Sequence, residues 1–286
     1  MKKILVPTDF STCANKAVEF AVQSAKILPV EVTLLHSFEI KGNVYTDYMG
    51  VNKEFNQIML DEAHQKLAEV KKVIEETEGV IVNTFVAVTP LVDAILQATE
   101  ELNIDLVIMG TLGAGAIKEK LWGSKTAAVI GKTKVPLMVI PFFYEWKKPD
   151  KLLLSTNHFE NEPAILDFVF ELADLYPALV HIAVMTDEDD DNAATFLEHT
   201  RKTLQYEKML KAQYNEETLI ATHLYGKEFE ETLQKHIDEN EIDILAMITY
   251  QRGFWDRVFN PSKTKRMSYH TKIPLLVIPG KQENKN

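Results

Sequence analysis

Residues 133–141 read TKVPLMVIP, and residues 271–279 read TKIPLLVIP, 138 positions later. Working outward, DLVIM at 105–109 is matched by DILAM at 243–247 with the same spacing. KKILVPTD at 2–9 is matched by DKLLLSTN at 150–157, with a spacing of 148. Three matches in one order at nearly one spacing indicate a tandem duplication. The second copy is about ten residues shorter, somewhere between its first and fourth strands. The join falls in FFYEWKKPD, residues 142–150, so domains are expected at 1–145 and 146–286.

Within each copy, apolar runs alternate with helical periodicity. In the first, strands are expected at Lys2–Val6, Glu31–His36, Val80–Val88, Asp105–Met109 and 137–140. A helix follows Ser11/Thr12, with Ala14, Val18, Ala21, Val22 and Ala25 at helical spacing. A long amphipathic helix is expected over 53–78, with Phe55, Ile58, Met59, Ala63, Leu67, Val70 and Ile74 on its inner face. Thr89-Pro90 predicts a further helix with Thr as N-cap and Pro at its first position. A short one is expected near 124–131. The second copy predicts strands near 151–155, 178–185, 217–223, 243–248 and 274–278, and helices near 161–175, 192–213, 227–239 and 263–269. This alternation argues an α/β fold with parallel sheets flanked by helices. Ligands in such sheets sit beyond the carboxyl ends of the strands, where strand order reverses.

Composition narrows the function. Of 286 residues, 46% are hydrophobic and 26% charged, as in ordinary globular proteins. Forty-two acidic side chains against 31 basic ones give a net charge of −11. That argues against binding nucleic acid or an anionic membrane surface. No run approaches the ~20 apolar residues of a membrane span. Pro7 and Asp9 interrupt the N-terminal apolar run, so no signal peptide is expected and a cytoplasmic location is. Cys13 is the sole cysteine, which excludes an internal disulfide and a cysteine-based zinc site.

One loop carries chemistry. Gly110-Thr111-Leu112-Gly113 follows the fourth strand, and Gly123-Ser124 opens the next helix, giving G-x-x-G-x9-G-S. Glycines let backbone amides approach an anion, and a helix N-terminus offers unpaired N–H groups. The Ser124 hydroxyl can bond a phosphate or cap its own helix. From chemistry alone, phosphate binding and an ordinary Gly-rich loop are equally good readings.

Pro7-Thr8-Asp9, Met109-Gly110, the complete loop through Ser124 and the closing strand VPLMVIP at 135–141 together resemble the universal stress protein family, here as a tandem member. The resemblance spans both copies. It implies two Rossmann-like domains of the adenine nucleotide alpha hydrolase-like type, each a five-stranded parallel sheet flanked by helices. It implies adenine-nucleotide binding, ATP or AMP, with Mg an optional companion of ATP. It places Asp9, Thr8 and Pro7 near adenine or ribose, the backbone around Leu35 against adenine, and Met109 and Gly110 under ribose. Gly113, Gly123, Ser124 and the Lys125 amide would cradle phosphates. Capping the first helix is the plainer alternative for Asp9. Single-domain members dimerise through the closing strand, so 137–140 and 275–278 are expected to pair within this chain, with a further homodimer left open.

The second copy departs from this pattern. Ile248, Gln251 and Pro261 replace Gly110, Gly113 and Gly123, and Asn157 and Ser155 replace Asp9 and Pro7. Ser262 alone survives from the loop. Phe254-Trp255 suggests that its cleft is filled or takes another apolar ligand. Other motifs are decoys: Gly131-Lys132-Thr133 lacks the first glycine of a P-loop, and Gly113-Ala114-Gly115 lacks the third of a dinucleotide fingerprint. Asp187, Asp189, Asp191 and Glu198 match calcium-loop positions, but Asn192 stands where the turn glycine belongs. The expected function is nucleotide binding in stress response, without a catalytic residue. A nucleotide-independent scaffold and a slow ATPase or phosphotransferase are the alternatives.

Overall fold

The computed structural model describes residues 1–39, 51–111, 124–156, 158–187, 193–226, 229–249 and 272–280. The chain divides into two compact units, Met1–Trp146 and Lys147–Asn286.

The first unit contains β1 (Lys3–Pro7), α1 (Thr12–Ala25), β2 (Glu31–Ser37), α2 (Val51–Glu78), β3 (Val82–Ala87), α3 (Leu91–Glu101), β4 (Leu106–Gly110), α4 (Ser124–Ile130) and β5 (Leu137–Ile140). Its strands lie in the order β3-β2-β1-β4-β5, all pairings parallel. The core strands are apolar without alternation because both sheet faces are covered. Ile4, Leu5, Val6, Leu34, Leu35, Leu106, Val107 and Ile108 are all at most 2% exposed.

The second unit repeats the plan with β6 (Lys151–Thr156), α5 (Pro163–Leu175), β7 (Leu179–Asp187), α6 (Ala193–Tyr214), β8 (Ile220–Gly226), α7 (Phe229–Asn240), β9 (Ile244–Ile248) and β10 (Leu275–Ile278). Its strand order is β8-β7-β6-β9-β10, again parallel.

The duplication extends to single hydrogen bonds. Asp105 Oδ2 accepts from the amides of Lys2 and Lys3, and Asp243 Oδ2 from those of Asp150 and Lys151. Lys3 Nζ donates to Leu102 O, and Lys151 Nζ to Asn240 O. Asn103 and Glu241, at matching positions, both hold φ of 53°. Register locates the missing residues. Thr33 pairs with Asn83, whereas His181 pairs with Ile220, so the offset between copies falls from 148 to 137 between the second and third strands. Much of the difference lies in the long helix, 28 residues in α2 and 22 in α6.

Two local expectations are corrected. Helix α3 begins at Leu91, and Pro90, at φ −54° and ψ 145°, occupies the N-cap position without a side-chain cap. Thr89 therefore does not cap it: its Oγ1 is buried without a hydrogen-bond partner. In α2, Ala63, Leu67 and Ile74 face the core, but Phe55 and Ile58 are 59% and 55% exposed. The inner face thus starts later than the apolar spacing implied. The helix expected at 263–269 and the Phe254-Trp255 segment lie outside the described residues.

Candidate functional site

In the first unit the chain runs from β1 to β2 on one side and reaches β4 on the other, so strand order reverses beside β1. An open cleft of about 480 Å³, part of it open solvent, lies at the carboxyl ends of these strands. Pro7, Thr8 and Asp9 enter it from the end of β1, Met109 and Gly110 from β4, and Lys125 from the first turn of α4. Sequence reasoning had nominated these six. Four more lining residues it had not: Ala14 on α1, Ser37 closing β2, Leu91 opening α3, and Thr126.

The β1–α1 turn is rigidly set. Thr8 Oγ1 accepts from the Phe10 amide at 3.0 Å, and Asp9 Oδ1 from the Ser11 amide at 3.1 Å. These side-chain turns let Phe10 adopt a left-handed φ of 61°, unusual for a bulky residue. The Phe10 ring lies 4.6 Å from that of His36, and His36 Nδ1–H donates to Thr8 O at 2.8 Å. The N-cap of α1 is Ser11, whose Oγ accepts from the Ala14 amide. Asp9 is thus not the helix cap, and its carboxylate borders the cleft.

On the opposite side, Gly110 packs tightly against the start of α1. A β-carbon there would lie 2.6 Å from Cys13 O and 2.8 Å from Cys13 Sγ. The glycine is required by this approach of strand to helix, whatever else it does. Thr126, 2% exposed, fixes α4 to the strand end: its hydroxyl lies 3.2 Å from both Gly110 O and Thr111 O.

The remaining nominated residues differ. Leu35 is fully buried, and its carbonyl accepts from the Thr8 amide at 2.8 Å, so it holds the β1 end in place without lining the cleft. Ser124 opens α4, exposed, and is not among the lining residues. Gly113 and Gly123 lie outside the described residues. Ser37, Leu91 and Ala14 carry no sequence signal, because only the sheet brings their elements together. Thr126 had one: it adjoins the nominated Ser124 and Lys125.

The corresponding region of the second unit is built otherwise. Ile248, at the Gly110 position, is 8% exposed, and Met247 is 1% exposed. Helix α5 begins at Pro163 with no side-chain cap from Glu162. Instead the Glu160 carboxylate, 2% exposed, accepts from the amides of Asn161 and Glu162 and lies 3.1 Å from His158 Nε2. Tyr206 donates to Glu160 O, and burial chiefly raises the Tyr206 pKa. Thr156 keeps the role of Thr8, accepting from the His158 amide. The Glu160 carboxylate thus takes the N-cap amide of α5 and the one before it. Asn157, Gln251, Pro261 and Ser262 lie outside the described residues.

No group of three or more metal-ligating side chains occurs among the described residues, and no described helix is long and apolar enough to cross a membrane.

The family model described as "Universal stress protein family" matches residues 1–141. Over 153 residues the chain is 32% identical to universal stress protein MJ0577 of Methanocaldococcus jannaschii, covering 49% of this chain and 94% of that protein. The crystal structure of a universal stress protein from Archaeoglobus fulgidus covers 97% of this chain and 98% of its own, at 18% identity and a TM-score of 0.70. That likeness concerns the fold. Another universal stress protein, solved in complex with cAMP, is 20% identical, covers 49% of this chain and 97% of its own, and has a TM-score of 0.33.

Proposed function

Since the chain belongs to the universal stress protein family, we propose that the cleft of its first domain binds an adenine nucleotide, ATP or AMP, in a cytoplasmic stress response. One observation carries this reading. Pro7, Thr8, Asp9, Met109, Gly110 and Lys125, drawn from three separate segments, converge on one cleft where strand order reverses. Asp9 is oriented by its bond to the Ser11 amide and offers an acceptor to sugar hydroxyls or an adenine amine. Pro7, Met109 and Leu91 supply apolar walls for a flat base or ribose. Gly113, Gly123, Ser124 and the Lys125 amide are proposed to take the phosphates, with Mg accompanying ATP as an option.

The second domain, with its boundary proposed at 145/146, does not bind nucleotide in this manner. Ile248, Gln251 and Pro261 stand there in place of Gly110, Gly113 and Gly123, and each lost glycine puts a side chain where backbone would meet phosphate. The test is mass spectrometry of small molecules released from freshly purified protein, followed by titration calorimetry with ATP and AMP. Release of an adenine nucleotide and a stoichiometry near one are expected. Protein that releases none and shows no binding heat overturns the proposal.

A further inference from the structure

We propose that the Lys125 side chain makes the first-domain cleft selective for nucleoside di- and triphosphates over monophosphates and nucleosides. The inference rests on the nucleotide reading above and adds a determinant to it: the ammonium group rather than the backbone amide.

Lys125 is the one cationic side chain among the described residues that line the cleft. It is exposed, and it makes no ion pair or hydrogen bond with any described residue. By contrast, Lys134 and Lys26 of the same unit pair with Glu100 and Glu78. The stem of Lys125 does not start from a loose point. Its neighbour Thr126 is buried and tied to the carbonyls of Gly110 and Thr111, which holds the first turn of α4 against the end of β4.

The cleft is therefore polarised. Asp9 brings a carboxylate from the β1–α1 turn, and Lys125 brings an ammonium from α4. An anionic tail is repelled by Asp9 and by a chain of net charge −11, so its favourable direction is toward α4. A lysine acts as a flexible point charge. Its attraction grows with the negative charge it meets, and each added phosphoryl group adds some. A neutral nucleoside gains nothing from it. A monophosphate, with one charged group near the sugar, gains less than a triphosphate whose chain extends toward the ammonium.

The sequence supplies a control. Ser124-Lys125-Thr126 recurs as Ser262-Lys263-Thr264 in the copy that lacks the glycines. Lys263→Met changes net charge as Lys125→Met does, but in the domain proposed not to bind.

The experiment is calorimetric titration of the full chain with ATP, ADP, AMP and adenosine, for the parent, Lys125→Met, Lys125→Arg and Lys263→Met. Lys125→Met should weaken ATP about tenfold and adenosine less than about twofold, as expected for loss of one charge-assisted contact. Lys125→Arg should retain most of the ATP affinity, and Lys263→Met should match the parent. The preference for ATP over AMP in the parent should shrink with added salt. Equal weakening of ATP and adenosine in Lys125→Met, or none for ATP, overturns the selectivity while leaving the nucleotide reading intact. A parent that binds none of the four ligands overturns both.

Discussion

Each copy builds the same five-stranded sheet, and the two differ at the end of its fourth strand. The first closes that strand with Gly110, which lets Cys13 and the start of α1 approach to within van der Waals contact. The second closes it with Ile248, and its first helix starts at Pro163, behind a buried Glu160 that accepts from the amides of Asn161 and Glu162. Yet both copies retain the aspartate that clamps the first strand, the lysine that reaches the preceding helix end and the left-handed residue before the fourth strand. The amino ends of the strands are shared in detail, whereas at the carboxyl ends the Thr8 and Thr156 turns are shared but Ile248 replaces Gly110. The scaffold and the site thus diverged separately, as expected when function is seated in loops on a common frame.

The largest effect on nucleotide binding should come from moving the second copy's residue into the first. Gly110→Ile sets a branched side chain against backbone atoms of Cys13 that cannot rotate away. Overpacking of this kind costs about 1–3 kcal/mol or more. We expect nucleotide binding to be lost and the thermal midpoint to fall by several degrees. The reverse change, Ile248→Gly, leaves a cavity in the second domain and creates no binding. A Gly110→Ile protein with parental melting and affinity would show that the close approach to α1 does not exist in solution.

Next come the aspartates on which the copies agree. Asp243 is 3% exposed and also pairs with Lys147, whereas Asp105 is half-buried. Removing either leaves two strand-opening amides without their carboxylate, at about 1.5–3 kcal/mol for each bond to a charged group. Asp243→Ala should lower the urea midpoint more than Asp105→Ala, because its amides are less able to find water. An equal loss would mean that burial does not distinguish the two clamps.

Much of this frame was legible before any coordinates. Apolar runs bounded by turn residues located all ten strands to within a few residues, because a strand buried on both faces has few other sequences open to it. The long helix was legible but its inner face was not: Phe55 and Ile58 fit the apolar period and still face outward. Periodicity records which residues could be buried, and tertiary packing sets which are. In the cleft, residues contiguous with a motif were found, while Ser37 and Leu91 were not. They belong to elements that only tertiary structure brings to β1 and β4. Gly110 was read as an opening for an anion, and the structure gives it a packing duty as well.

A third contrast is in acid response. His181 and His236, both in the second unit, are buried, at 5% and 8% exposure. Burial chiefly holds each pKa below the ordinary 6.5. For His181 the positive charges of His236 and Lys151 lower it further, and for His236 the carboxylate of Glu239 partly offsets burial. In the window below about 6.5, the unfolded chain then binds more protons than the folded one. Stability is therefore full above that value and declines as pH falls through it. The described histidines of the first unit, His36 and His64, are not buried. Urea midpoints taken from pH 8 to pH 5 should fall, and the fall should shrink in a His181→Gln, His236→Gln double variant. An undiminished fall would place the acid-labile groups elsewhere.

The smallest expected effects concern how helices start. Three solutions occur among the described helices. Ser11 caps α1 through its hydroxyl, Glu160 serves the opening of α5 through a buried carboxylate, and α3 opens behind Pro90 with no side-chain cap. Replacing an N-cap serine by alanine costs about 1 kcal/mol, so Ser11→Ala should lower stability by that amount and disturb the Asp9 turn beside it. Thr89 has the sequence position of a cap without the bond, since its hydroxyl is buried and unpartnered. Thr89→Val keeps the branched shape and removes that hydroxyl, so the change should fall within about 0.5 kcal/mol of neutral, toward stabilisation. Urea midpoints of the two single variants against the parent decide the matter. If Thr89→Val costs as much as Ser11→Ala, the hydroxyl caps α3 in solution, and the start of that helix follows the threonine–proline signature after all.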